Sequence, residues 1–67
     1  MVAINVRSNR KMLGISQEEL GAKAGLHRTY IGAIERAEEN ITLATLDRLA
    51  AALRLPPDEL VRPIRNK

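Results

Sequence analysis

Apolar residues recur at intervals of three and four along most of the chain, the spacing that places side chains on one face of an α-helix. In the first segment the stripe is made by Val2, Val6 and Leu13. In the fourth segment it is made by Leu43, Leu46, Leu49, Ala50 and Leu53. Two shorter segments lie between these stripes, and a last short one follows them. The pattern predicts an all-α fold of five helices.

Helix boundaries in the first half of the chain are marked by a cap and by glycines. The segment Ser16-Gln17-Glu18-Glu19 has the form of a capping box, so a second helix should begin near Gln17. The first helix should end at Gly14 and the second at Gly25, because glycine readily takes the left-handed conformation that follows a helix. A third helix should begin just after His27.

The boundaries in the second half are less regular. The third helix should end near Arg36 or Ala37, and Thr42 can cap the fourth. Pro57 suits the first turn of a last short helix. The helical domain is therefore expected to span residues 1–61, followed by a flexible basic tail over residues 62–67.

Composition excludes several classes of function. A chain of 67 residues forms one small domain without room for a cofactor cleft. Without cysteine it has no thiolate zinc site, and with His27 as its one histidine it offers no nucleophile and base set. We therefore expect no cofactor, no metal site and no enzyme activity. Eleven basic against eight acidic residues give a net charge of +3, which is compatible with a polyanionic partner.

Membrane association is disfavoured by the same inspection. No apolar run approaches the roughly 18 residues of a membrane span, and the start of the chain lacks the apolar core of a signal peptide. The basic residues do not form one helical face, as a cationic membrane-surface peptide would require. Together with the absence of cysteine, these observations favour a cytoplasmic protein.

The two short helices joined across Gly25-Leu26-His27 bear most directly on function. Two helices linked by a tight turn with glycine present one helix to a DNA groove, although many small helical proteins contain such a corner for packing alone. The third helix opens with Arg28, Thr29 and Tyr30, which leave polar groups on the face opposite its isoleucines. This composition favours DNA binding over a simple packing corner.

Several motifs at consistent mutual spacing resemble the Xre/Cro/C1-type helix-turn-helix family, roughly over residues 4–61. They are Ser16-Gln17-Glu18-Glu19-Leu20, Ala24-Gly25-Leu26, Tyr30-Ile31, Ile34-Glu35-Arg36, Thr45-Leu46 and Ala50. The string from Leu26 to Ile31, with Ile34-Glu35-Arg36 and Asn40-Ile41-Thr42, looks most like the controller proteins of restriction-modification systems. The resemblance implies a lambda-repressor-like fold whose second helix lies across the DNA backbone and whose third helix enters the major groove.

Base reading is expected at the start of the third helix. Arg28 can bond bidentately to guanine O6 and N7. Thr29 can touch a base edge or a thymine methyl, and Ala33 leaves space for a methyl or contacts it. The competing interpretations are that Arg28 is a solvated surface charge and that Thr29 and Ala33 only form part of the helix without a role in binding.

Phosphate contacts are expected around the same helix. Gln17 lies at a helix N-terminus, which favours anions, and offers backbone N–H groups and a side-chain amide. The resemblance places Arg36 and Asn40 just beyond the third helix, where the family contacts phosphates. Tyr30 either packs on the protein or reaches the DNA backbone. The competing interpretation of Gln17 is that it is only the first residue after a cap. The competing interpretation of Arg36 and Asn40 is that they lie in a solvated loop.

The resemblance also implies a structural ion pair and exposes three departures from the family. Arg10 and Glu35 match positions that pair between the first and third helices. Ala37-Glu38-Glu39 stands where controller-like sequences tend to have a glycine and a basic residue, and two acids there should weaken non-specific DNA affinity. Asn9 replaces an expected apolar residue, and Pro56 stands where a serine-like cap usually precedes the last helix.

These observations favour a sequence-specific double-stranded DNA-binding transcriptional regulator, an autoregulatory homodimer of the controller type, with RNA polymerase as a candidate further partner. The dimer is expected to form at the C-terminal end, because a short last helix cannot bury all of its apolar residues against one small core. The expected interface residues are Leu55, Leu60, Val61 and Ile64.

Two alternatives share the same fold. One is an antitoxin or other protein-interaction module, which the basic tail over residues 62–67 would suit. The other is a phage-type repressor. A methyltransferase or endonuclease gene beside this one would favour the controller interpretation, and a small toxin gene would favour the antitoxin.

Overall fold

The computed structural model describes residues 2–62, and the five α-helices of this range confirm the predicted all-α architecture. They are α1 (Val2–Met12), α2 (Gln17–Ala24), α3 (Arg28–Glu35), α4 (Leu43–Ala52) and α5 (Asp58–Val61). α2 packs on α3 and α4, while α1 packs on α3 and α5. The third helix is therefore supported from behind by the first two. Within the described range no helix is both long and apolar enough to cross a lipid bilayer.

Side-chain caps fix where the helices begin. The Oγ of Ser16 accepts from the N–H of Glu19 at 3.0 Å, and the Glu19 carboxylate accepts from the N–H of Ser16 at 2.8 Å, which completes the capping box. Thr42 caps α4 by accepting from the N–H of Thr45 at 3.1 Å. Each cap satisfies an N–H that the helix end leaves without a partner, and stabilises by about 1 kcal/mol. Both helices begin where the sequence predicted.

Left-handed residues fix where the helices end. Gly14 and Gly25 have φ angles of 71° and 72°, as expected for the glycines that follow α1 and α2. Ala37 and Arg54 take the same conformation after α3 and α4, with φ angles of 60° and 61°. A side chain in this region costs roughly 1–2 kcal/mol because Cβ approaches the following carbonyl. Two of the four turns therefore hold strain that glycine would relieve.

Every helix contributes to one hydrophobic core. The buried apolar residues are Val6, Leu20, Ala24, Ile31, Ile34, Leu46, Leu49, Ala50, Leu53 and Leu60. Complete burial of a leucine, isoleucine or valine side chain contributes about 1.5–3 kcal/mol each. The core therefore accounts for most of the favourable free energy of folding, and it fixes which face of α3 is turned away from solvent.

Two residues of the predicted apolar stripes lie outside the core. Leu43 is 80% exposed because it is the first residue of α4, and helical periodicity identifies a face without saying how far along the helix a neighbour reaches. Leu13 is also exposed because α1 has already ended at Met12. The prediction that these two leucines face inward is wrong.

A buried asparagine that the sequence pattern did not single out joins the two ends of the described chain. Asn5 is only 6% exposed, and its Nδ2 donates to the carbonyl oxygens of Leu60 at 2.8 Å and Arg62 at 2.6 Å. The half-buried Asn9 donates to the carbonyl of Asn5 at 2.8 Å, one turn earlier in α1. Its polar side chain at the edge of the core is thus bonded to its own helix. α5 is held against α1 by the amide of Asn5.

The expected dimer interface needs one correction. Leu60 is fully buried in the core of the single chain, so it is not available to a partner. Leu55 is half-buried against the same core, whereas Val61 is 47% exposed. The short α5 buries Leu60 because Asn5 draws its backbone against α1. Ile64 and nearly all of the expected basic tail lie outside the described residues.

Candidate nucleic-acid interface

The corner between α2 and α3 is tight because two glycines make room for it. Gly25 takes the left-handed conformation, and the N–H of Leu26 donates back to the carbonyl of Gly21 at 2.8 Å. A Cβ on Gly21 would lie 2.5 Å from the carbonyl oxygen of Leu26. Any side chain there would push the turn away from α2. The backbone itself therefore sets the angle at which α3 leaves the corner.

The orientation of α3 follows from its apolar face. Ile31 and Ile34 are buried in the core. Arg28 and Thr29, in the first turn, are exposed to solvent. The helix N-terminus is capped by His27, whose Nδ1 accepts from the N–H of Thr29 at 3.1 Å. The first turn of α3 thus presents an arginine and a threonine on a capped, rigid helix end.

The next turn of α3 is less exposed. Tyr30 is half-buried and packs against the hydrophobic core, and Ala33 is half-buried as well. Of the two positions expected for Tyr30, the structure describes packing on the protein, and its exposed part remains at the surface of α3. Beyond Arg28, the surface of α3 is therefore formed by side chains that are small or partly covered.

A partly buried ion pair supports α3 from behind. Arg10 of α1 donates through Nε to Oε2 of Glu35 at 2.7 Å and through Nη2 to Oε1 at 3.0 Å, so the sequence-expected partners are in contact. Arg10 also donates to the carbonyl of Ile15 at 2.9 Å. Gln17 adds a third bond, from Nε2 to Oε1 of Glu35, at 3.1 Å. One carboxylate thus links α1, α2 and the last turn of α3.

The charges of this pair perturb both groups. Burial alone would raise the pKa of Glu35, but hydrogen bonds from Arg10 and Gln17 and the charges of Arg10 and Arg7 outweigh it, so the pKa lies below its ordinary value. The hydrogen bond to Glu35 raises the pKa of Arg10, against the effect of burial. Both groups therefore stay charged near neutral pH and hold the pair together.

Gln17 and Arg36 converge on Gly32, on the side of α3 that faces the start of α2. A Cβ built on Gly32 would lie 3.1 Å from Nη1 of Arg36 and 3.5 Å from Oε1 of Gln17. The glycine thus leaves space for both side chains. The amide nitrogen of Gln17 bonds Glu35, so part of its donor capacity is already used within the protein.

The loop after α3 places the remaining two candidates. Arg36 is exposed and pairs with Glu38, with 3.1 Å between Nε and Oε2. That hydrogen bond and the charge of Glu38 raise the pKa of Arg36. Asn40 is exposed beside a shallow cleft at the start of α1, which Val2 and Ile41 also line. Arg36 and Gln17 therefore lie together beside Gly32 of α3, whereas Asn40 lies on the side of the molecule that faces the start of α1.

Comparison with known proteins identifies the arrangement of α2 and α3. Residues 6–60 match the family described as HTH_3, Helix-turn-helix, which is most of the chain. The chain belongs to this helix-turn-helix family. The predicted family is therefore confirmed. α2 and α3, joined by the turn at Gly25, are two short helices linked by a tight turn within the matched residues.

Individual relatives of this helix-turn-helix chain are similar over nearly its whole length. The control protein C.SmaI of Serratia marcescens is 51% identical over 61 residues, which are 91% of this chain and 73% of that protein. The restriction-modification controller protein C.AhdI of Aeromonas hydrophila is 39% identical, with a TM-score of 0.86 over 88% of this chain and 89% of that one. The P22 c2 repressor, solved with a synthetic operator, is 33% identical, with a TM-score of 0.84 over 90% and 91%.

Two features of the helix-turn-helix surface were not assigned a role from the sequence. Gly32 leaves the space in which Gln17 and Arg36 approach each other, and the carboxylate of Glu38 forms an ion pair with the guanidinium of Arg36. Glu38 was expected only as one of two acids near the DNA. Its contact depends on the left-handed Ala37, and a glycine at that position would have marked the turn in the sequence.

Proposed function

We propose that this helix-turn-helix chain is a sequence-specific, double-stranded DNA-binding transcriptional regulator of the restriction-modification controller type. The observation that carries the proposal is α3, the proposed recognition helix, whose first turn is capped and presents Arg28 and Thr29 to solvent while Ile31 and Ile34 anchor it in the core. The similarity to C.SmaI and C.AhdI supports the controller type.

The proposed base contacts come from the exposed face of α3. Arg28 projects from the first turn, where a guanidinium in the major groove can donate to both O6 and N7 of guanine. Thr29 beside it reaches a base edge or thymine methyl, and Ala33, one turn further, lets the groove floor approach closely. Tyr30 packs between these positions and positions the helix surface more than it reads sequence.

The proposed phosphate contacts come from α2 and from the loop after α3. α2 begins at Gln17, and the positive end of its helix dipole lies there together with its first backbone N–H groups. This helix end attracts an anion such as a backbone phosphate. Arg36 and Asn40 approach the backbone from the loop after α3. Such contacts set the position of the protein on the duplex and carry little sequence information, whereas Arg28 carries specificity.

We further propose that the protein acts as a homodimer on a near-palindromic site with half-sites roughly 34–36 Å apart. Val61 is exposed on α5, and Ile4 is exposed on α1. α1 packs on α5, so these two exposed apolar side chains lie on neighbouring helices and are available to a second copy of the chain. Sedimentation at micromolar concentration that finds only monomer, with and without DNA, would overturn this part.

In the cell such a dimer would act on intracellular DNA and control its own promoter. Occupation of one site would recruit RNA polymerase, and occupation of a further site at higher protein concentration would exclude it. A reporter fused to the promoter should then pass through a maximum as the concentration of the protein is raised.

The experiment that tests the function is a fluorescence-anisotropy titration against a duplex from upstream of the gene and against a scrambled duplex, at two salt concentrations. Arg28→Ala should weaken binding to the upstream duplex by about 1–3 kcal/mol and change binding to scrambled DNA little. Lys23→Ala is the matched control, because it removes one positive charge from a surface that Lys23 shares with Leu13 and Ala52 and to which α3 contributes no residue.

The outcomes separate the alternatives. A loss confined to Arg28→Ala on the upstream duplex supports base reading. Equal binding of both duplexes that salt abolishes would indicate a generic basic protein and favour the protein-interaction module.

A further inference from the structure

The loop after the recognition helix holds an ion pair where DNA binding needs a free cation. Nε of Arg36 lies 3.1 Å from Oε2 of Glu38, and the two side chains are 59% and 57% exposed. Both groups are therefore accessible to a duplex that approaches α3. Neither is part of the partly buried pair formed by Arg10 and Glu35.

The backbone builds this contact. Ala37 turns the chain with a φ angle of 60°, and its N–H donates to the carbonyl of Ile34 at 3.0 Å. The N–H of Glu38 donates to the carbonyl of Ala33 at 2.9 Å. These paired bonds are the Schellman motif, which closes the end of α3. They fix Cα of Glu38 beside the last turn, so its carboxylate returns to the arginine that ends the helix.

The pair also lies beside the site that would receive a phosphate. Nη1 of Arg36 passes within 3.1 Å of the position that a Cβ on Gly32 would take, and Oε1 of Gln17 lies 3.5 Å from the same position. Gln17 is the first residue of α2, whose N-terminus attracts anions. The guanidinium that Glu38 occupies is therefore close to the other group proposed to hold the DNA backbone.

We propose that Glu38 is an internal phosphate mimic that occupies Arg36 in the free protein and is exchanged for a backbone phosphate when DNA binds. The inference rests on the proposed function. A guanidinium donates to a carboxylate and to a phosphate oxygen in the same geometry, so the exchange leaves Arg36 paired throughout. The protein gives up one ion pair for each one it gains, and the released carboxylate is left beside the phosphates. Glu38 thereby lowers DNA affinity at Arg36 without altering the base-reading face.

The test compares Glu38→Gln with Glu39→Gln, which removes the same charge one residue further along. Glu39 is exposed and makes no ion pair with any of residues 2–62. In anisotropy titrations with the upstream duplex, Glu38→Gln should tighten binding by about three- to fivefold, and Glu39→Gln by less than about twofold. The advantage should shrink as salt is raised, because both charges are exposed.

Arg36→Met closes the cycle. If Glu38 acts through Arg36, the gain from Glu38→Gln disappears in the Arg36→Met background. Equal gains from the two glutamine variants, or a gain that persists without Arg36, would overturn the inference while leaving the proposed function intact. Failure of the wild type to prefer the upstream duplex would overturn both. Circular dichroism of each variant confirms that the comparison is between folded proteins.

Discussion

Arg10 holds Glu35 through two parallel hydrogen bonds, from Nε to Oε2 at 2.7 Å and from Nη2 to Oε1 at 3.0 Å. The two residues are 25 positions apart, on α1 and α3, and the Glu35 side chain is only 4% exposed. Gln17 of α2 bonds the same carboxylate. The end of α3, the proposed recognition helix, is therefore fixed relative to both α1 and α2.

Removal of Glu35 should be strongly destabilising. Glu35→Ala leaves the partly buried guanidinium of Arg10 without its anion, and should lower the free energy of unfolding by about 3 kcal/mol, the lower end of the range for a buried pair. Urea denaturation followed by far-ultraviolet circular dichroism measures the loss. Arg10→Met combined with Glu35→Leu should recover much of it, because no charge is then left unpaired. A double variant no more stable than the single one would contradict this account.

The same pair predicts how stability depends on pH. Folding lowers the pKa of Glu35, so its contribution is fully present above the ordinary value of 4.5 and is lost as pH falls through the lower folded value. The unfolding free energy should therefore fall as pH is lowered below about 4.5, and less steeply in Glu35→Gln than in the wild type. Urea midpoints at a series of pH values give both slopes. Parallel slopes would show that other carboxylates account for the acid sensitivity.

Local signals explain why so much of the fold was predicted. The capping box at Ser16, the cap at Thr42 and the glycines at 14 and 25 each act within a few residues of a helix end. The apolar stripe of α4 was assigned correctly except at Leu43, whose exposure depends on where a neighbouring helix stops. The sequence contains the periodicity of a helix, but the length of its contact with another helix is a property of the assembled core.

Replacing the left-handed Ala37 after α3 by glycine should stabilise the protein. Ala37→Gly relieves strain of roughly 1–2 kcal/mol and costs about 0.5–1 kcal/mol of backbone entropy, so the unfolding free energy should rise by about 0.5–1 kcal/mol. Ala51→Gly is the matched control, because Ala51 is exposed in the last turn of α4 with helical backbone, and the same exchange there should destabilise by about 0.5–1 kcal/mol. Thermal melts of the two variants should shift in opposite directions. A shift downward in both would mean that Ala37 is not strained.

Two helical glycines should respond in opposite ways to alanine. Gly21→Ala places a Cβ 2.5 Å from the backbone oxygen of Leu26, so it should destabilise by about 1–3 kcal/mol despite better helix propensity. Gly32→Ala meets the flexible end of Arg36 at 3.1 Å, so it should stabilise by up to about 1 kcal/mol. It should also weaken DNA binding, since Arg36 must move. Urea denaturation and anisotropy titration measure the two effects separately.

The sequence predicted which residues of the candidate site are exposed, but not the contacts that depend on the assembled fold. Arg28 and Thr29 could be assigned because their exposure follows from the periodicity of α3. The bond from Gln17 to Glu35 could not, since it requires the angle between α2 and α3. The pairing of Arg36 with Glu38 depends on the left-handed conformation of Ala37, which alanine rarely adopts. No local sequence pattern therefore marked it.

The amide of Asn5 has a consequence for the order in which the domain is completed during synthesis. Its carbonyl partner on Leu60 is made 55 residues later, which at ordinary translation rates is a delay of roughly 3–11 s. Until then the amide has no acceptor at this site, and the space that Leu60 fills is open. The step that closes the domain is therefore a contact between the earliest and latest parts of the described chain.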